Sequence, residues 1–340
     1  MKNWKKAGLT ALAGSLVATS AFAGAVTVSG TANLTYTANT GKQDNAGTSA
    51  TDTETGNDGS RWGINKTISF AGSGELDNGW TISVSQSLNA GSTTGVGITL
   101  DMGDAGSLNF EADTGARGIG KIADMIPTAD EDVANGIDVD GSGTAGGLSG
   151  KVSGGTKGFH YAKTVGDMVE FGIGYAAKSA AGSAQGGVSG SGATASNVSG
   201  FVKLDPMDGL EIGFGIGEAA AGNSDASLTD DHQTIYATYV YGPMTFGYQL
   251  SNIDTEGSTA DDEMVRWGVL YAVNDEMSIS YQAHENDDST LSVDEEAHGI
   301  SASYTSGGMT FKVHRNTADD VGNVVSNESE HTEVGVTFAF

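Results

Sequence analysis

Short segments in which apolar and polar residues alternate recur along almost the whole chain. Near the C-terminal end, Val334, Val336 and Phe338 alternate with Gly335 and Thr337. A β-strand points successive side chains to opposite faces, so each segment predicts a strand with one apolar face and one small or polar face. We count about sixteen segments of roughly 7–11 residues, which favours one large all-β domain over two average domains.

The face opposite the apolar stripe is too polar to form a dry core. Two of its rows are Thr81, Ser83, Ser85 and Ser87, and Ser278, Ser280, Gln282 and His284. Such a face can line water, and the apolar face then has only lipid to contact. Closure into an antiparallel transmembrane β-barrel would pair every backbone N–H and C=O, as hydrocarbon requires. About sixteen strands leave room for an aqueous channel. In the segment near 236–240, we assign Tyr236 and Val240 to the outward stripe.

The connections between the segments alternate in length. The short ones are 103–106, 165–167, 205–209, 241–243, 273–276 and 305–308, and the long, acidic ones are 37–60, 114–157, 177–195, 217–231, 251–263, 285–295 and 316–332. Short periplasmic turns and long extracellular loops are typical of outer-membrane barrels. Aromatic residues near the stripe ends fit the girdle at the membrane interface. The candidates are Tyr36, Trp62, Trp80, Tyr175, Tyr241, Trp267, Tyr271 and Tyr304.

Composition excludes several other classes of protein. No run of residues reaches the roughly 18 apolar positions that a spanning helix needs. The chain has no cysteine, which excludes a disulfide-stapled scaffold and thiolate chemistry. Its formal net charge of −27 repels nucleic acid, so we expect no nucleic-acid partner.

The first residues have the order of an export signal. Lys2 and Lys5 precede a mildly apolar run and a small-x-small sequence at 21–23. This order predicts a cleaved signal peptide, whereas the alternative, an amphipathic helix, would need a polar face. We therefore assign residues 1–23 to the signal peptide and residues 24–340 to the barrel, which is exported across the inner membrane.

Three stretches carry a family resemblance. They are Ser60-Arg61-Trp62-Gly63-Ile64 with Glu75-Leu76-Asp77-Asn78-Gly79-Trp80, then Gly106-Ser107-Leu108-Asn109-Phe110-Glu111-Ala112-Asp113, and Phe340 after alternating apolar residues. The chain resembles the trimeric general porins of Gram-negative bacteria, especially the alphaproteobacterial type. The resemblance implies a homotrimer, a third loop folded into the lumen and a terminal Phe340 read by the barrel-assembly machinery. Lys66 departs from the pattern because it falls on the lipid face, and we expect a bulge or a register error there.

The resemblance also implies where the pore narrows. Segment 114–157 occupies the place of the family's third loop, whose carboxylates face bases on the barrel wall and create a transverse field. The acidic candidates are Asp124, Asp130, Glu131, Asp132, Asp138 and Asp140. The basic candidates are Arg61, which matches the Ser-Arg motif, and Arg266 and Lys312, which alternation places on the lumen face. The alternative for the acids is a solvated extracellular loop.

Signals for other chemistry are weak. Asp138 and Asp140 resemble the start of a calcium loop, but the twelfth position is Ser149 instead of Glu. Calcium at these two residues therefore competes with a flexible acidic turn, and no cofactor is required. The six histidines have no metal-ligand spacing, and no Gly-x-Ser-x-Gly motif supports hydrolysis. We expect no enzyme activity.

The residues and the resemblance together predict an outer-membrane porin for passive diffusion of small hydrophilic solutes. The excess of carboxylates favours cations. The expected partners are the lipid bilayer and lipopolysaccharide, two further copies of the chain, the assembly machinery, and small polar solutes and cations. One alternative is a channel selective for one nutrient class, which would carry an aromatic slide or a basic ladder in the lumen. Another is a secreted acidic β-rich adhesin or surface protein.

Overall fold

The computed structural model describes most of the chain after residue 25. The described residues are 26–43, 53–54, 59–89, 92–111, 117–137, 158–176, 196–220, 229–255, 261–289, 293–323, 325 and 327–340. The predicted signal peptide, 1–23, lies outside them and stays a prediction. Within the described part, helix is limited to two short 3-10 turns, Gly103–Ala105 and Gly118–Ile122. Neither has the length or the apolar character that a membrane-crossing helix needs.

Seventeen antiparallel strands in the described part of the chain form one closed sheet. They are β1 (Val26–Gln43), β2 (Thr53–Glu54), β3 (Gly59–Glu75), β4 (Thr81–Asn89), β5 (Ser92–Asp101), β6 (Ser107–Glu111), β7 (Gly158–Val165), β8 (Val169–Ala176), β9 (Asn197–Met207), β10 (Leu210–Ala220), β11 (Thr229–Tyr241), β12 (Met244–Thr255), β13 (Asp261–Ala272), β14 (Met277–Asp288), β15 (Glu295–Ser306), β16 (Met309–Asp319) and β17 (Glu328–Ala339). The two residues of β2 only extend the β1 ladder. The other sixteen strands build the ring, which confirms the predicted barrel.

The ring closes where the two ends of the barrel sequence meet. β1 pairs with β3 on one side and with β17 on the other. At the end of the seam, Gly30 N–H donates to the Phe340 carbonyl at 2.8 Å, and Phe340 N–H donates back to the Gly30 carbonyl at 3.0 Å. The phenyl ring of Phe340 lies directly over Gly30, and a Cβ on Gly30 would be 2.6 Å from the ring atom Cζ. A side chain at this position would therefore displace the ring from the place it occupies.

The apolar stripes point outwards, as the alternation predicts. On β14, for example, Ile279 and Tyr281 are exposed on the outer face, and Ser280 and Gln282 are buried on the inner face. A soluble sheet would cover such an outer face, whereas a membrane barrel leaves it to lipid. Aromatic pairs stand on this face, and the ring centroids of Tyr36 and Trp62 are 5.1 Å apart.

The face assigned to Tyr236 and Val240 is wrong. Tyr236 points into the barrel and is only 2% exposed, and the outward residue is Ile235, which lies opposite Phe214 in the β10–β11 ladder. Tyr236 and Val240 each have an apolar neighbour, so alternation alone allows two phases for this strand. The register with the neighbouring strands selects one of them.

The irregularity expected at Lys66 is absent. β1 and β3 pair without a register shift from Val26–Gly72 to Asn39–Gly59, and Lys66 lies opposite Ala32 on the exposed outer face. A lysine can occupy such a position because its four-carbon stem lies along apolar surface while the ammonium reaches a polar layer.

The extracellular ends of the later strands reach further than apolar alternation predicts. β12 runs to Thr255 and β13 begins at Asp261, so most of 251–263 is strand. β14 likewise extends to Asp288, and β16 and β17 together cover more than half of 316–332. Above the lipid both faces of a hairpin meet water, so the backbone ladder continues without an apolar stripe to signal it. The short turns lie at the opposite end, for example at Gly242 and Pro243.

We predict that Gly30→Val weakens the barrel seam, because the new side chain occupies the space of the Phe340 ring. The temperature at which the folded band converts to the unfolded band on a gel should fall. Gly74→Val is the matched control, since a Cβ on Gly74 meets no atom within 4 Å. Equal midpoints for the two variants would contradict the role of the Gly30–Phe340 contact.

Candidate pore constriction

Residues 117–137, here called the inner loop, lie against the inner wall of the barrel. At the start of the loop, Gly118 N–H donates to His160 Nδ1 at 3.1 Å, and Ile119 N–H donates to Ser199 Oγ at 3.2 Å. Near its end, Asn316 Nδ2 donates to the Asn135 carbonyl at 2.9 Å. These wall residues stand on β7, β9 and β16, so the inner loop spans more than half of the ring.

Two small apolar clusters hold the ends of the inner loop. Ile119 and Ile122, with Ala123, pack against three wall side chains at the first end: Phe201, Tyr236 and Ile253. Val133 and Ile137 pack at the second end against Ala297, Ala318 and Val321. Among the described residues, these two clusters are the groups of buried apolar side chains that pack together, and they lie inside a barrel whose inner face is mostly polar. The inner loop is therefore anchored by burial as well as by polar contacts.

A row of wall glycines makes room for the inner loop. They stand on the inner faces of β8, β10, β12, β13 and β15, at Gly174, Gly215, Gly247, Gly268 and Gly299. A Cβ on Gly174 would be 2.6 Å from Gly118 N, and a Cβ on Gly268 would be 2.6 Å from Ile126 Cγ2. Larger residues at these positions would occupy the space through which the loop passes.

Polar side chains of the wall replace the missing backbone partners of the inner loop. Gln249 is fully buried; its Oε1 accepts from Met125 N–H at 2.9 Å and its Nε2 donates to the Ile122 carbonyl at 2.8 Å. Ser280 Oγ accepts from Ala129 N–H at 2.9 Å. Buried backbone groups without partners are costly, so these contacts allow an irregular segment to lie on the wall.

Arg266 forms the central ionic anchor. Its Nη1 is 3.0 Å from Asp124 Oδ1, and its Nη2 is 3.2 Å from Asp132 Oδ2. The arginine side chain is only 3% exposed, and the two carboxylates are 24% and 21% exposed. One planar guanidinium thus joins two points of the inner loop to β13, which a lysine could not do with the same geometry.

Asp130 forms a second ionic anchor with β16. Its carboxylate is 2.6 Å from Lys312 Nζ and 2.9 Å from His314 Nδ1. Burial raises the pKa of Asp130, but the hydrogen bonds from His314 and Lys312 outweigh burial and lower the pKa below its ordinary value of 3.8. The carboxylate is therefore charged at neutral pH and holds the inner loop to the wall.

The structure brings together only part of the predicted constriction set. Arg266 and Lys312 do not face the loop acids across an opening, because they bind Asp124, Asp132 and Asp130 directly. These two bases therefore balance part of the loop charge by direct contact. The transverse field across the lumen stays a prediction. Arg61 stands apart on β3. It is exposed and makes no ion pair with a described residue.

The remaining candidates differ in what can be said of them. Glu131 is exposed, and its side chain has no hydrogen bond or ion pair to a described residue. Asp138 and Asp140, the calcium candidates, lie outside the described residues. Within the described part of the chain, no group of three or more histidines and carboxylates is arranged to hold a metal ion.

Several residues that matter at this site were not singled out from the sequence. Gln249 and His314 stand on different strands, and each matters only because the inner loop passes beside it. The glycine row left a weak signal, because glycine repeatedly occupies inner positions in strands whose other inner residues have side chains. Alternation assigned these positions to the polar face without indicating that something covers them.

We predict that Arg266→Leu releases the middle of the inner loop, because it leaves Asp124 and Asp132 close together without a counter-charge. Removing one partner of a buried ion pair costs about 3–5 kcal/mol. The gel-conversion temperature, at which the folded band converts to the unfolded band, should fall clearly. Arg315→Leu is the control, since Arg315 and its partner Glu330 are 57% and 40% exposed, and such a pair contributes about 0–1 kcal/mol. Equal losses in both variants would contradict the anchor.

We also predict an acid-sensitive anchor at Asp130. Its pKa is lower in the folded state than the ordinary 3.8, so its stabilising effect is complete well above pH 3.8 and is lost as the pH falls through the lowered value. The gel-conversion temperature of the unsubstituted chain should drop steeply in this range. Asp130→Asn should be less stable at neutral pH and lose that steep part, whereas Glu131→Gln should keep it. A steep part that survives in Asp130→Asn would contradict the assignment.

The fold is similar to solved porin structures. The anion-selective porin of Comamonas acidovorans superposes with a TM-score of 0.63 at 16% identity, covering 93% of this chain and 99% of that chain. The outer-membrane expressed OmpT of Vibrio cholerae gives 0.60 at 11%, covering 93% and 98%. A substituted form of the Rh. blastica porin gives 0.58 at 15%, covering 93% and 100%. At these identities the likeness establishes the fold alone.

The sequence comparisons identify the family. A search of curated protein sequences finds no match. The family model described as Gram-negative porin matches residues 8–288, which is most of the chain. This match agrees with the closed sixteen-strand ring, its outward apolar stripes and its polar inner face. The chain therefore belongs to the Gram-negative porin family and forms a channel in the outer membrane.

Proposed function

We propose that this porin lets small hydrophilic solutes and ions diffuse passively through a water-filled lumen and that it prefers cations to anions. The observation that carries the cation preference is a group of carboxylates on the inner wall above the inner loop. Asp262 lies directly opposite Asp288 in the β13–β14 ladder. Asp230 and Glu295 are close enough to interact with Asp262 electrostatically. We call these four residues the acidic vestibule.

The acidic vestibule stands on strands β11, β13, β14 and β15, at their extracellular ends. Carboxylates directly opposite each other repel, and counter-ions relieve that repulsion. A lumen entrance lined by one sign of charge raises the local concentration of the opposite ion. Arg266, the arginine on the inner face of these strands, is already paired with Asp124 and Asp132. Glu295 is buried and lies 3.4 Å from His284 Nε2, so the partly exposed charge of the vestibule comes from its aspartates.

The wall opposite the inner loop supports diffusion without a dedicated solute site. It carries hydroxyl and amide groups that bond to each other, such as Ser69 with Ser87 at 2.8 Å and Asn109 with Thr99 at 2.8 Å. Among the described inner residues of β3–β6, Arg61 is the sole base. This wall therefore has neither the basic ladder nor the aromatic slide of a channel for one nutrient class.

Selectivity has to be argued from this chain's own charges. The Comamonas porin is described as anion-selective, and the shared fold does not transfer that property at low identity. The absence of enzyme activity and the cleaved signal peptide at 1–23 belong to this proposal as well, and calcium at Asp138 and Asp140 stays an alternative to a flexible acidic turn. They rest on the sequence patterns that predict them.

We further propose that the channel is a homotrimer whose contact includes the upper part of β3. Residues 67–75 of β3 pair with β4, whereas among the described strands residues 59–66 pair only with β1. Trp62 and Ile64 are 71% and 76% exposed on the outer face of that part. A second copy of the chain covering this face would shield both the strand edge and the apolar side chains.

We predict a reversal potential of cation-selective sign in a planar bilayer with a gradient of potassium chloride. Replacing Asp262 and Asp288 together by Asn should lower the ratio of potassium to chloride permeability by about twofold or more at low salt, where the Debye length is roughly 10 Å or longer. The effect should shrink as the salt concentration rises, since exposed charges are screened.

The matched control is Glu263→Gln with Asp287→Asn. These two carboxylates also lie directly opposite each other in the β13–β14 ladder, but on the outer face. They should leave the permeability ratio unchanged. An anion-selective reversal potential in the unsubstituted channel would overturn the cation preference, and a bilayer without conductance would overturn the channel.

A further inference from the structure

The carboxylates beside the inner loop differ in how far nearby bases balance their charge. Asp124 and Asp132 share Arg266, and Asp130 binds Lys312 and His314. One arginine and one lysine therefore lie within 3.2 Å of these three acids, which leaves about one negative charge spread over Arg266, Asp124 and Asp132, here called the Arg266 group. A compensated carboxylate has a short-range field, so it has little effect on an ion that passes at a distance.

Glu333 is a wall carboxylate that the sequence patterns did not single out. It stands on the inner face of β17, directly opposite His314 in the β16–β17 ladder. Its side chain is partly exposed and makes no hydrogen bond or ion pair with a described residue. It lies within electrostatic reach of His314 and Lys312 as well as of Asp130 and Glu131. It therefore adds a negative charge beside the middle of the inner loop.

Glu131 faces the same space from the inner loop. It is exposed between Asp130 and Asp132, both of which turn towards the wall. Its carboxylate interacts electrostatically with that of Glu333. Glu131 and Glu333 are thus two carboxylates without an ion pair to a described residue, one from the loop and one from the wall.

The opposing charge at this level is Arg61. Thr37 on β1 lies directly opposite Glu333 on β17 and directly opposite Arg61 on β3. The Cα atoms of Glu333 and Arg61 are therefore about 10 Å apart, which is two strand spacings. At this separation the guanidinium weakens the negative potential of the carboxylates without neutralising it by contact.

We propose that Glu333 is a selectivity-determining residue of this channel, and that with Glu131 it attracts cations at the constriction while Arg61 opposes them. Asp124, Asp130 and Asp132 serve instead to position the inner loop. This assignment rests on the proposed cation-preferring diffusion channel. It differs from the acidic vestibule in place, because the pair lies beside the inner loop and the vestibule lies above it.

The test is the reversal potential of the full-length channel in a potassium chloride gradient, measured at low and at high salt. Glu333→Gln keeps the shape of the side chain and removes its charge. It should lower the ratio of potassium to chloride permeability about twofold to fourfold, as expected for one unit charge roughly 5–10 Å from the ion in water. Part of the effect should persist near 1 M salt, because a narrow, partly buried site is screened less than an open entrance.

Two further variants keep the proposal falsifiable. Arg61→Gln should change the ratio in the opposite direction. Glu330→Gln is the matched control, since Glu330 is on the same strand but on the outer face, where it pairs with Arg315 at 2.7 Å. It should leave the ratio unchanged. Gel-conversion temperatures equal to that of the unsubstituted chain would exclude a folding defect in any of the variants.

The outcomes separate this inference from the proposed function. If the unsubstituted channel prefers anions, the cation preference fails, but Glu333→Gln should still shift the ratio further towards chloride. If Glu333→Gln and Glu330→Gln give the same ratio as the unsubstituted channel, Glu333 does not determine selectivity, whatever the sign of that selectivity. If the shift in Glu333→Gln disappears entirely at high salt, the charge of Glu333 acts on the ion from a distance through solvent. That result would overturn its local role at the constriction.

Discussion

Backbone hydrogen bonding in a lipid environment is the constraint on which the rest of this structure depends. Hydrocarbon offers no partner for an N–H or C=O group, so a sheet that crosses it must close on itself. The closure is made at the seam of β1 and β17, where Gly30 and Phe340 exchange two hydrogen bonds. Once the ring is closed, the inner face is a polar wall around water, and it becomes a surface on which a loop can bind.

The inner loop is held against that wall by buried apolar contacts and ion pairs. Its ends bury isoleucine and valine side chains, a row of glycines leaves space for its path, and Arg266 and Lys312 hold its carboxylates. The same charges that family resemblance assigned to ion selection are thereby used for positioning. Selection then depends on the charges left over, which are Glu131, Glu333, Arg61 and the remaining negative charge of the Arg266 group beside the inner loop, and the carboxylates of the acidic vestibule.

Much of the fold could be predicted from particular local patterns. Phe338 and Val336 at the end of the chain, and Ser278 and Ser280 in the middle, indicated faces that the structure confirms. The prediction failed where local signals were ambiguous or absent. Tyr236 has an apolar neighbour, so its face depends on register with β10. A charged residue at the lipid-facing position 66 suggested an irregularity in the strand. The lysine fits there because its long aliphatic side chain carries the ammonium to a polar layer, without any change in backbone pairing.

The sequence by itself determined the barrel, its approximate number of strands and, for most strands, which face meets lipid, because the pleat of a strand links alternate residues to opposite surroundings. Only the tertiary structure decided which charges compensate each other. Arg266 lies 142 and 134 positions from Asp124 and Asp132, and His314 lies 184 positions from Asp130. Contacts at such separations depend on the path of the inner loop across many strands, and no local periodicity encodes that path.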